Sequence, residues 1–188
     1  MAKLQIIIAS TRPGRIGLPI GTWFSEAARR HGKLDVQVID LAAVNLPMLD
    51  EPKHPRFAQY ENAHTKAWSA TIVEADAYVF VTPEYNYAAP PTLMNALNFL
   101  SREWAYKPVG FVSYGGIAAG TRAVQMLKLC VTALKMMPLP EAVALPFAGK
   151  QIEDGVFKPT EANEQASSTM LDELARWAEA LAPMRRKT

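Results

Sequence analysis

The first stretch with residue types suited to binding chemistry is 10–17, which reads Ser-Thr-Arg-Pro-Gly-Arg-Ile-Gly. It brings two hydroxyls, two guanidinium groups and two glycines to the point where a helix is predicted to begin. The free amides and the positive dipole end of a helix N-terminus attract anions, and arginine adds charge-assisted bonds to phosphate. The segment therefore favours a phosphate site, with a turn capped by Ser10 or Thr11 and flanked by surface arginines as the alternative.

A second candidate is the segment 82–91, Thr-Pro-Glu-Tyr-Asn-Tyr-Ala-Ala-Pro-Pro. Its three prolines are predicted to stiffen the loop, and Pro91 is well placed to open the next helix. A stiff loop with exposed amides suits the edge of a flat heterocycle, with Tyr85 and Tyr87 as walls and Asn86 as a hydrogen-bonding partner. The alternative is a structural turn whose tyrosines belong to the core.

The third candidate is the segment 113–120, Ser-Tyr-Gly-Gly-Ile-Ala-Ala-Gly. Adjacent glycines let the backbone approach a ligand closely, and Ser113 adds a hydroxyl group. Taken alone, this segment fits an ordinary turn equally well.

Several common active-site patterns are absent from the sequence. No G-x-x-x-x-G-K-[ST] loop occurs, which excludes a P-loop nucleotide hydrolase. The glycines at 14, 17 and 21 do not form G-x-G-x-x-G, so Asp40 lacks the motif that would give it a dinucleotide-binding role. The three histidines have no metal-ligand spacing, and no G-x-S-x-G motif indicates a hydrolase. Cys130 lies on the apolar stripe of a predicted helix and is interpreted as a core residue.

Short apolar runs that alternate with helical patterns must position the three segments. Strands are predicted at 4–9, 36–41, 77–82, 109–114 and 142–146. Helices are predicted at 16–31, from about 57 to 75, at 93–100, at 124–134 (stopped by Pro138 and Pro140) and at 170–181 (ended by Pro183), with a turn or small hairpin at 149–159. This alternation indicates an α/β three-layer fold with a five-stranded parallel sheet, in a single domain over 1–188. Ligands bind such sheets at the carboxyl ends of the strands, where the three segments fall.

Composition limits the classes of partner. The chain has 188 residues, of which 49% are apolar and 20% charged, as in an ordinary globular protein. A net charge of +2 predicts no nucleic-acid partner, and the basic run at 185–187 is interpreted as a solvated end. No apolar run approaches the ~20 residues that span a bilayer, and no signal peptide is recognised. We therefore predict no membrane association and a cytoplasmic location, with which a single cysteine agrees.

Together, the three segments resemble the NAD(P)H-dependent FMN reductase family. The match rests on Ser-x-Arg-x-Gly-Arg at the first helix, on Pro-Glu-Tyr-Asn followed by Pro-x-x-x-Asn-Ala, and on Ser-Tyr-Gly-Gly, in that order within residues 4–147. The resemblance implies a flavodoxin-like fold with sheet order 2-1-3-4-5 and FMN bound without a covalent bond.

The resemblance also assigns cofactor contacts to each segment. Ser10 and Arg12, with the backbone of Ile16 and Gly17, are expected to hold the phosphate. The isoalloxazine ring is expected to be framed on one side by Pro83, Glu84, Tyr85 and Asn86 and on the other by Ser113, Tyr114, Gly115 and Gly116. Many relatives have Ser where Arg15 stands and Asn where Gly17 stands. Arg15 is therefore expected either to contact the phosphate or to face solvent.

The implied function is an FMN-dependent oxidoreductase that passes hydride from NAD(P)H through FMN to a small-molecule acceptor, such as free flavin, a quinone, an azo compound or an oxidised metal. No side chain is expected to act as a catalytic acid, because the cofactor carries the chemistry. One alternative is a flavodoxin-type electron carrier without nicotinamide turnover, which the net charge of +2 and Arg12 disfavour. Another is a subunit that has kept the fold without the flavin.

Assembly is predicted from apolar residues that fall off the core stripe of the third helix. Met94 and Phe99, with Trp104 and Tyr106 just beyond, are expected to be exposed together, as at an interface. Members of the resembled family are usually dimers or dimers of dimers, so we predict a homodimer or homotetramer. The alternative is that a neighbouring helix covers these side chains.

Overall fold

Five parallel strands form the centre of the molecule in the order β2-β1-β3-β4-β5. The computed structural model describes residues 1–185. The strands are Ala2–Ile8 (β1), Leu34–Asp40 (β2), Ala77–Pro83 (β3), Pro108–Gly115 (β4) and Met137–Pro146 (β5). The order and the parallel direction predicted from the sequence are confirmed.

Helices cover both faces of the sheet and complete three layers. They are Gly17–His31 (α1), Leu41–Val44 (α2), Ala63–Val73 (α3), Pro91–Asn98 (α4), Thr121–Ala133 (α5) and Glu161–Arg185 (α6). One apolar core joins α1 and α6 to the sheet, and a second joins α3, α4 and α5 to its other face. Every residue of β3 is buried, as its continuous apolar run predicts. Among these helices, none combines the length and apolarity that a membrane span requires.

A small antiparallel hairpin precedes the last helix. Ile152–Glu153 (β6) pairs with Val156–Phe157 (β7), which confirms the hairpin predicted within 149–159.

The largest differences from the predicted helix limits are at the starts of α3 and α6. The helix expected from about residue 57 begins at Ala63, because a short 3-10 turn at Pro55–Phe57 ends at Ala58 in the left-handed region (φ 53°). The helix expected at 170–181 begins at Glu161 and continues past Pro183, which lies in its last turn. Proline disturbs the turn that precedes it, so a few later residues can keep helical dihedral angles.

Pro138 and Pro140 lie inside a strand, so the prediction that they stop a helix is wrong. α5 ends at Ala133, and Lys135 in the left-handed region (φ 60°) turns the chain into β5, which begins at Met137. β5 is an edge strand beside β4, and proline is tolerated there because its missing N–H can face away from the partner strand.

Of the four residues expected to be exposed together, Phe99 and Trp104 belong to the core, whereas Met94 and Tyr106 are half-buried. Phe99 and Trp104 are both 0% exposed. A 3-10 turn at Arg102–Trp104 folds the chain back, and the Trp104 ring centre lies 5.1 Å from that of Tyr78 and 6.2 Å from that of Trp68. The prediction of an exposed patch is therefore wrong. The alternative, in which a neighbouring helix covers these side chains, is correct for the two buried rings, because α3 contacts Phe99 through His64 and Trp104 through Trp68.

The fold holds the end of α6 in place. The guanidinium of Arg185 donates to Asp76 Oδ1 at 2.9 Å and to the carbonyl oxygens of Tyr106 at 3.2 Å and Ala178 at 3.1 Å. The interpretation of the basic run as a solvated end is therefore wrong for Arg185. The remaining residues of that run, Arg186 and Lys187, lie outside the described residues.

Lys107 is a buried cation at the amino end of β4. Its Nζ donates to the carbonyl oxygens of Ile72 at 3.0 Å and Val73 at 3.2 Å, and to Tyr78 Oη at 3.1 Å. It thereby binds carbonyl groups at the carboxyl end of α3. Burial lowers the pKa of Lys107 to about 8, and the nearby charge of Arg185 acts in the same direction.

We expect this lysine to make the protein more stable as the pH rises. Its folded-state pKa of about 8 lies below the value of about 10.4 for an unfolded lysine. Between these values the unfolded chain binds more protons, so the free energy of unfolding increases with pH. From about pH 7.5 to 9.5, urea unfolding should show a gain of about 2 kcal/mol over the Lys107→Met variant, which cannot titrate there. A difference between the two proteins that stays constant over this range would contradict the prediction.

Candidate functional site

The loop after β1 leaves the N-terminus of α1 open to a ligand. The residue before the helix, Ile16, makes no side-chain capping bond, and the first turn from Gly17 contains no acidic residue. Ser10 is buried and bonds to Tyr85 through their hydroxyl groups at 2.8 Å. The alternative in which Ser10 or Thr11 caps the helix is therefore wrong, and the first amides of α1 remain available to an anion.

The two arginines of this loop have different surroundings. Arg15 donates from Nη1 and Nη2 to the two carboxylate oxygens of Asp40, each at 2.5 Å, and from Nη1 to the carbonyl oxygen of Ser10. The bond from Arg15 holds the pKa of the Asp40 carboxyl below its usual value. Arg12 is exposed, and its side chain has no hydrogen-bond or ion-pair partner within residues 1–185. Arg15 thus connects the loop to the end of β2, whereas Arg12 remains available.

A tight turn shapes the loop after β3. The backbone N–H and carbonyl groups of Tyr85 and Ala88 exchange two hydrogen bonds of 2.9 Å. The residues between them, Asn86 (φ 50°) and Tyr87 (φ 68°), both lie in the left-handed region, as a type I′ turn requires. Tyr85 is half-buried and Tyr87 is 68% exposed. A turn is therefore present, but its tyrosines are not core residues.

Glu84 anchors this turn to the start of α5. Its side chain is 7% exposed and accepts hydrogen bonds from Arg122 Nε at 2.5 Å, from the Arg122 amide at 3.1 Å and from the Ala123 amide at 3.4 Å. Burial alone would raise the pKa of Glu84, but the bonds from Arg122 and the Ala123 amide lower it below its usual value. The carboxylate therefore caps α5, because the N-cap residue Gly120 has no side chain to do so.

Arg122 is a site residue that the sequence analysis missed. Besides pairing with Glu84, its guanidinium lies 4.0 Å from the ring centre of Tyr87. It therefore connects two positions in the first half of the loop after β3 to α5. No motif marks it, because its partners lie 38 and 35 residues earlier in the chain.

The loop after β4 combines tight packing with an open edge. Gly120 has φ 79°, and a Cβ added there would lie 2.9 Å from the backbone N and O atoms of Tyr114. A Cβ at Gly115 would meet the Gly120 amide at 3.2 Å, whereas one at Gly116 would meet nothing within 4 Å. Gly115 and Gly120 are thus needed for packing, and Gly116 leaves the edge of the loop accessible.

Two buried hydroxyl groups at the end of β4 have no partner among the described residues. They are Ser113 Oγ and Tyr114 Oη. Pro83, at the end of β3, lies beside Tyr114 in the sheet. The side chain of Tyr114 belongs to the core beneath α1, and its hydroxyl lies against Gly17.

A cleft of about 220 Å³ lies between the loops after β3 and β4. Its walls are formed by Glu84, Asn86, Tyr87, Gly115, Gly116, Ala118, Gly120 and Arg122. The Ser10–Tyr85 hydrogen bond connects the loop beside this cleft to the open end of α1. The arrangement suits a molecule with an anionic group at one end and a flat polar ring at the other.

The chain is similar to several known proteins. The family model described as NADPH-dependent FMN reductase matches residues 2–150. An NAD(P)H-dependent FMN reductase of Schizosaccharomyces pombe is 41% identical over 159 residues, covering 84% of this chain and 79% of that protein. One from Nectria sp. is 34% identical over 168 residues, with 84% of each chain covered. Among solved structures, a flavoenzyme NAD(P)H:(acceptor) oxidoreductase from Paracoccus denitrificans has a similar fold, with a TM-score of 0.76 at 20% identity over 96% of this chain and 98% of that one.

Proposed function

The chain belongs to the NADPH-dependent FMN reductase family, and from this premise we propose that the loops after β1, β3 and β4 hold FMN. The protein is an NAD(P)H-dependent oxidoreductase that uses FMN. When bound, FMN accepts hydride from the reduced nicotinamide and passes electrons on to an acceptor. We propose a small molecule of the quinone or azo class as that acceptor, which the names of more distant relatives support.

The open end of α1 fits the phosphate of FMN. The amides of Ile16 and Gly17 are uncapped, and the hydroxyl of Ser10 lies beside them. Arg12 is free to add a charge from the solvent side. Amides, a hydroxyl and a guanidinium together form the donor set that a phosphate monoester requires.

The two loops at the cleft fit the isoalloxazine ring. The turn at Tyr85–Ala88 is closed by two backbone hydrogen bonds, and the edge at Gly116 is open. Ser113 Oγ is buried without a partner, as expected of a group that bonds a ligand. The observation that carries the proposal is the Ser10–Tyr85 hydrogen bond, since it joins the phosphate end of the site to the ring end.

The side chains bind and orient the substrates, and we assign none of them a proton transfer. In our proposal the turn at Tyr85–Ala88 presents backbone groups and Asn86 to the ring edge. Tyr87, held against Arg122, forms one wall of the cleft. These contacts position the ring and exclude water from it.

The test is the flavin content and turnover of the purified protein. We expect a yellow protein that releases FMN on heating, identified by mass spectrometry, and that oxidises NADPH or NADH in the presence of a quinone. Release of FAD, or of no flavin after addition of FMN, would overturn the proposed site. Bound FMN without turnover of either nicotinamide would overturn the proposed reaction.

Arg12→Ala is expected to weaken FMN binding by about tenfold, because an exposed arginine that reaches a phosphate contributes roughly one charge-assisted hydrogen bond. Turnover at saturating FMN should remain close to that of the unaltered chain, since the residue contributes affinity and lies far from the ring. Fluorescence titration with FMN and steady-state rates measure the two quantities. A large loss of turnover with the flavin fully bound would show that the role is wrong.

We propose that two copies of the chain assemble as a homodimer, alone or paired as a homotetramer. The family resemblance supports this, and so do the exposed apolar residues near the cleft, Ile117 at 84% and Tyr87 at 68%. Light scattering should give at least twice the 20.7 kDa of one chain. A mass of one chain at micromolar concentration, with activity intact, would contradict the prediction.

We also propose a cytoplasmic location, supported by the single free cysteine.

Cys130, expected in the core, is only half-buried, because it lies at the flank of the α5 stripe formed by Ala123, Val124, Leu127 and Val131.

A further inference from the structure

Tyr114 has a buried hydroxyl group with no partner among the described residues. The residue is 4% exposed, and its Oη makes no hydrogen bond within residues 1–185, although the Ser10 side chain lies close enough to act on its pKa. Burying a hydroxyl without a partner is costly, and such a group in a native protein calls for an explanation. Tyr114 lies on the sheet face that packs against α1, so its hydroxyl is directed towards the first turn of that helix.

Gly17 provides the space that this hydroxyl occupies. A Cβ added at Gly17 would collide with Tyr114 Oη and would lie 3.3 Å from its Cζ and 3.6 Å from Ser10 Cβ. Gly17 is the first residue of α1 and is not at a positive φ, so backbone conformation does not require glycine here. The phenol therefore takes the place of a side chain at the N-terminus of the helix.

Three hydroxyl groups meet at this point, and their protons can be counted. Ser10 Oγ and Tyr85 Oη share one hydrogen bond of 2.8 Å, which uses one of their two protons. One proton of that pair and the proton of Tyr114 remain to be donated. Two hydroxyl donors beside the uncapped amides of a helix constitute a site for an oxyanion.

We propose that Tyr114 Oη donates a hydrogen bond to the phosphate of the bound flavin and thereby sets the preference for FMN over unphosphorylated riboflavin. This inference rests on the proposed function, because the anion at this helix end is taken to be the flavin phosphate. Burial raises the pKa of Tyr114 above its usual value, so the phenol keeps its proton at neutral pH and can donate it. Tyr114 is then a phosphate ligand, whereas the family resemblance places it beside the ring.

The test compares FMN and riboflavin as ligands of the full chain. Tyr114→Phe removes one hydroxyl group and leaves the packed ring, so we expect FMN affinity to fall by about ten- to a hundredfold. Riboflavin has no phosphate, so its affinity should change by less than about threefold. The effect is measured by the riboflavin dissociation constant divided by the FMN dissociation constant, a ratio that should fall in Tyr114→Phe. Fluorescence titration gives both constants, and thermal denaturation confirms that the variant is folded.

Two further variants sharpen the test. Tyr78→Phe is a matched control, because its buried hydroxyl donates to the Ile72 carbonyl oxygen at the amino end of β3, and it should leave the ratio unchanged. Gly17→Ala displaces the Tyr114 hydroxyl, so it should also lower the ratio of the riboflavin to the FMN dissociation constant. When Tyr114 is already phenylalanine, the same glycine change should lower this ratio by less.

The outcomes separate this inference from the proposed function. An equal loss of FMN and riboflavin affinity in Tyr114→Phe, or no loss of either, would overturn the assignment of Tyr114 while leaving the FMN site standing. Failure of the unaltered chain to bind either flavin would overturn the proposed site, and the inference with it. A loss confined to FMN supports the inference.

Discussion

Glu84→Ala is expected to weaken FMN binding by about a hundredfold and to lower the melting temperature by about 2–8 °C. The carboxylate is almost completely buried and accepts three hydrogen bonds from Arg122 and Ala123. Its removal leaves α5 without a capping group, which costs about 1–2 kcal/mol, and releases the rigid turn from its anchor. The turn at Tyr85–Ala88 would then no longer be held in place beside the flavin ring, so FMN affinity falls together with the stability of the protein.

Fluorescence titration with FMN and a thermal melt measure the two effects, and two other variants serve as controls. Glu173→Ala breaks a glutamate–arginine pair of the same residue types on α6, where Arg176 is exposed, and should change neither quantity. Glu84→Gln keeps the length of the side chain but turns an amide towards Arg122, so we expect an intermediate loss. Unchanged FMN affinity in Glu84→Ala would show that the turn needs no anchor to bind the flavin.

The strands and the position of the site could be predicted because the information is local. The run of apolar and β-branched residues in β3 is typical of a strand covered on both sides, and every residue in it is buried. Since parallel strands place their carboxyl ends at one edge, the segments after β1, β3 and β4 had to meet there.

Changes of chain direction were harder to predict, because several depend on residues that do not favour the conformation they adopt. Ala58, Tyr87 and Lys135 all lie in the left-handed region without being glycine or asparagine. Nothing in their types predicts this conformation, so the start of α3 was misplaced, and a turn was considered within 82–91 without its position or type. Pro138 and Pro140 do carry a signal, but the same signal fits a helix stop and an edge strand.

The partners of the site side chains could not be predicted at all, because each pair joins distant parts of the chain. Glu84 reaches Arg122, 38 residues later, and Arg15 reaches Asp40, 25 residues later. Each arginine could in principle pair with any of the 18 acidic residues. Only the packing of helices on the sheet selects one of them, so the two possibilities considered for Arg15, phosphate contact or solvent, did not include its actual partner.

Arg15→Ala and Asp40→Asn are each expected to weaken FMN binding by about thirtyfold, and the double variant by no more than either single change. Arg15 is held at both amino groups by Asp40 and also donates to the carbonyl oxygen of Ser10. The pair therefore fixes the loop that carries Ser10 and the start of α1, and removal of either partner releases the same constraint. Arg30→Ala, at the other end of α1 and paired with Glu164 near the surface, is a control that should change nothing.

The direction in which Asp40→Asn changes FMN affinity distinguishes two roles of Arg15: holding the loop through Asp40, or binding the phosphate directly. If Arg15 bound the phosphate directly, the loss of Asp40 would free its guanidinium and remove a nearby negative charge, so FMN affinity would rise. If Arg15 instead holds the loop after β1 through its ion pair with Asp40, the same change loosens the loop and FMN affinity falls. A titration in which Asp40→Asn binds FMN more tightly, while Arg15→Ala binds it more weakly, would assign Arg15 to the phosphate. We expect both variants to bind more weakly, because the bidentate contact leaves Arg15 committed to the carboxylate that ends β2.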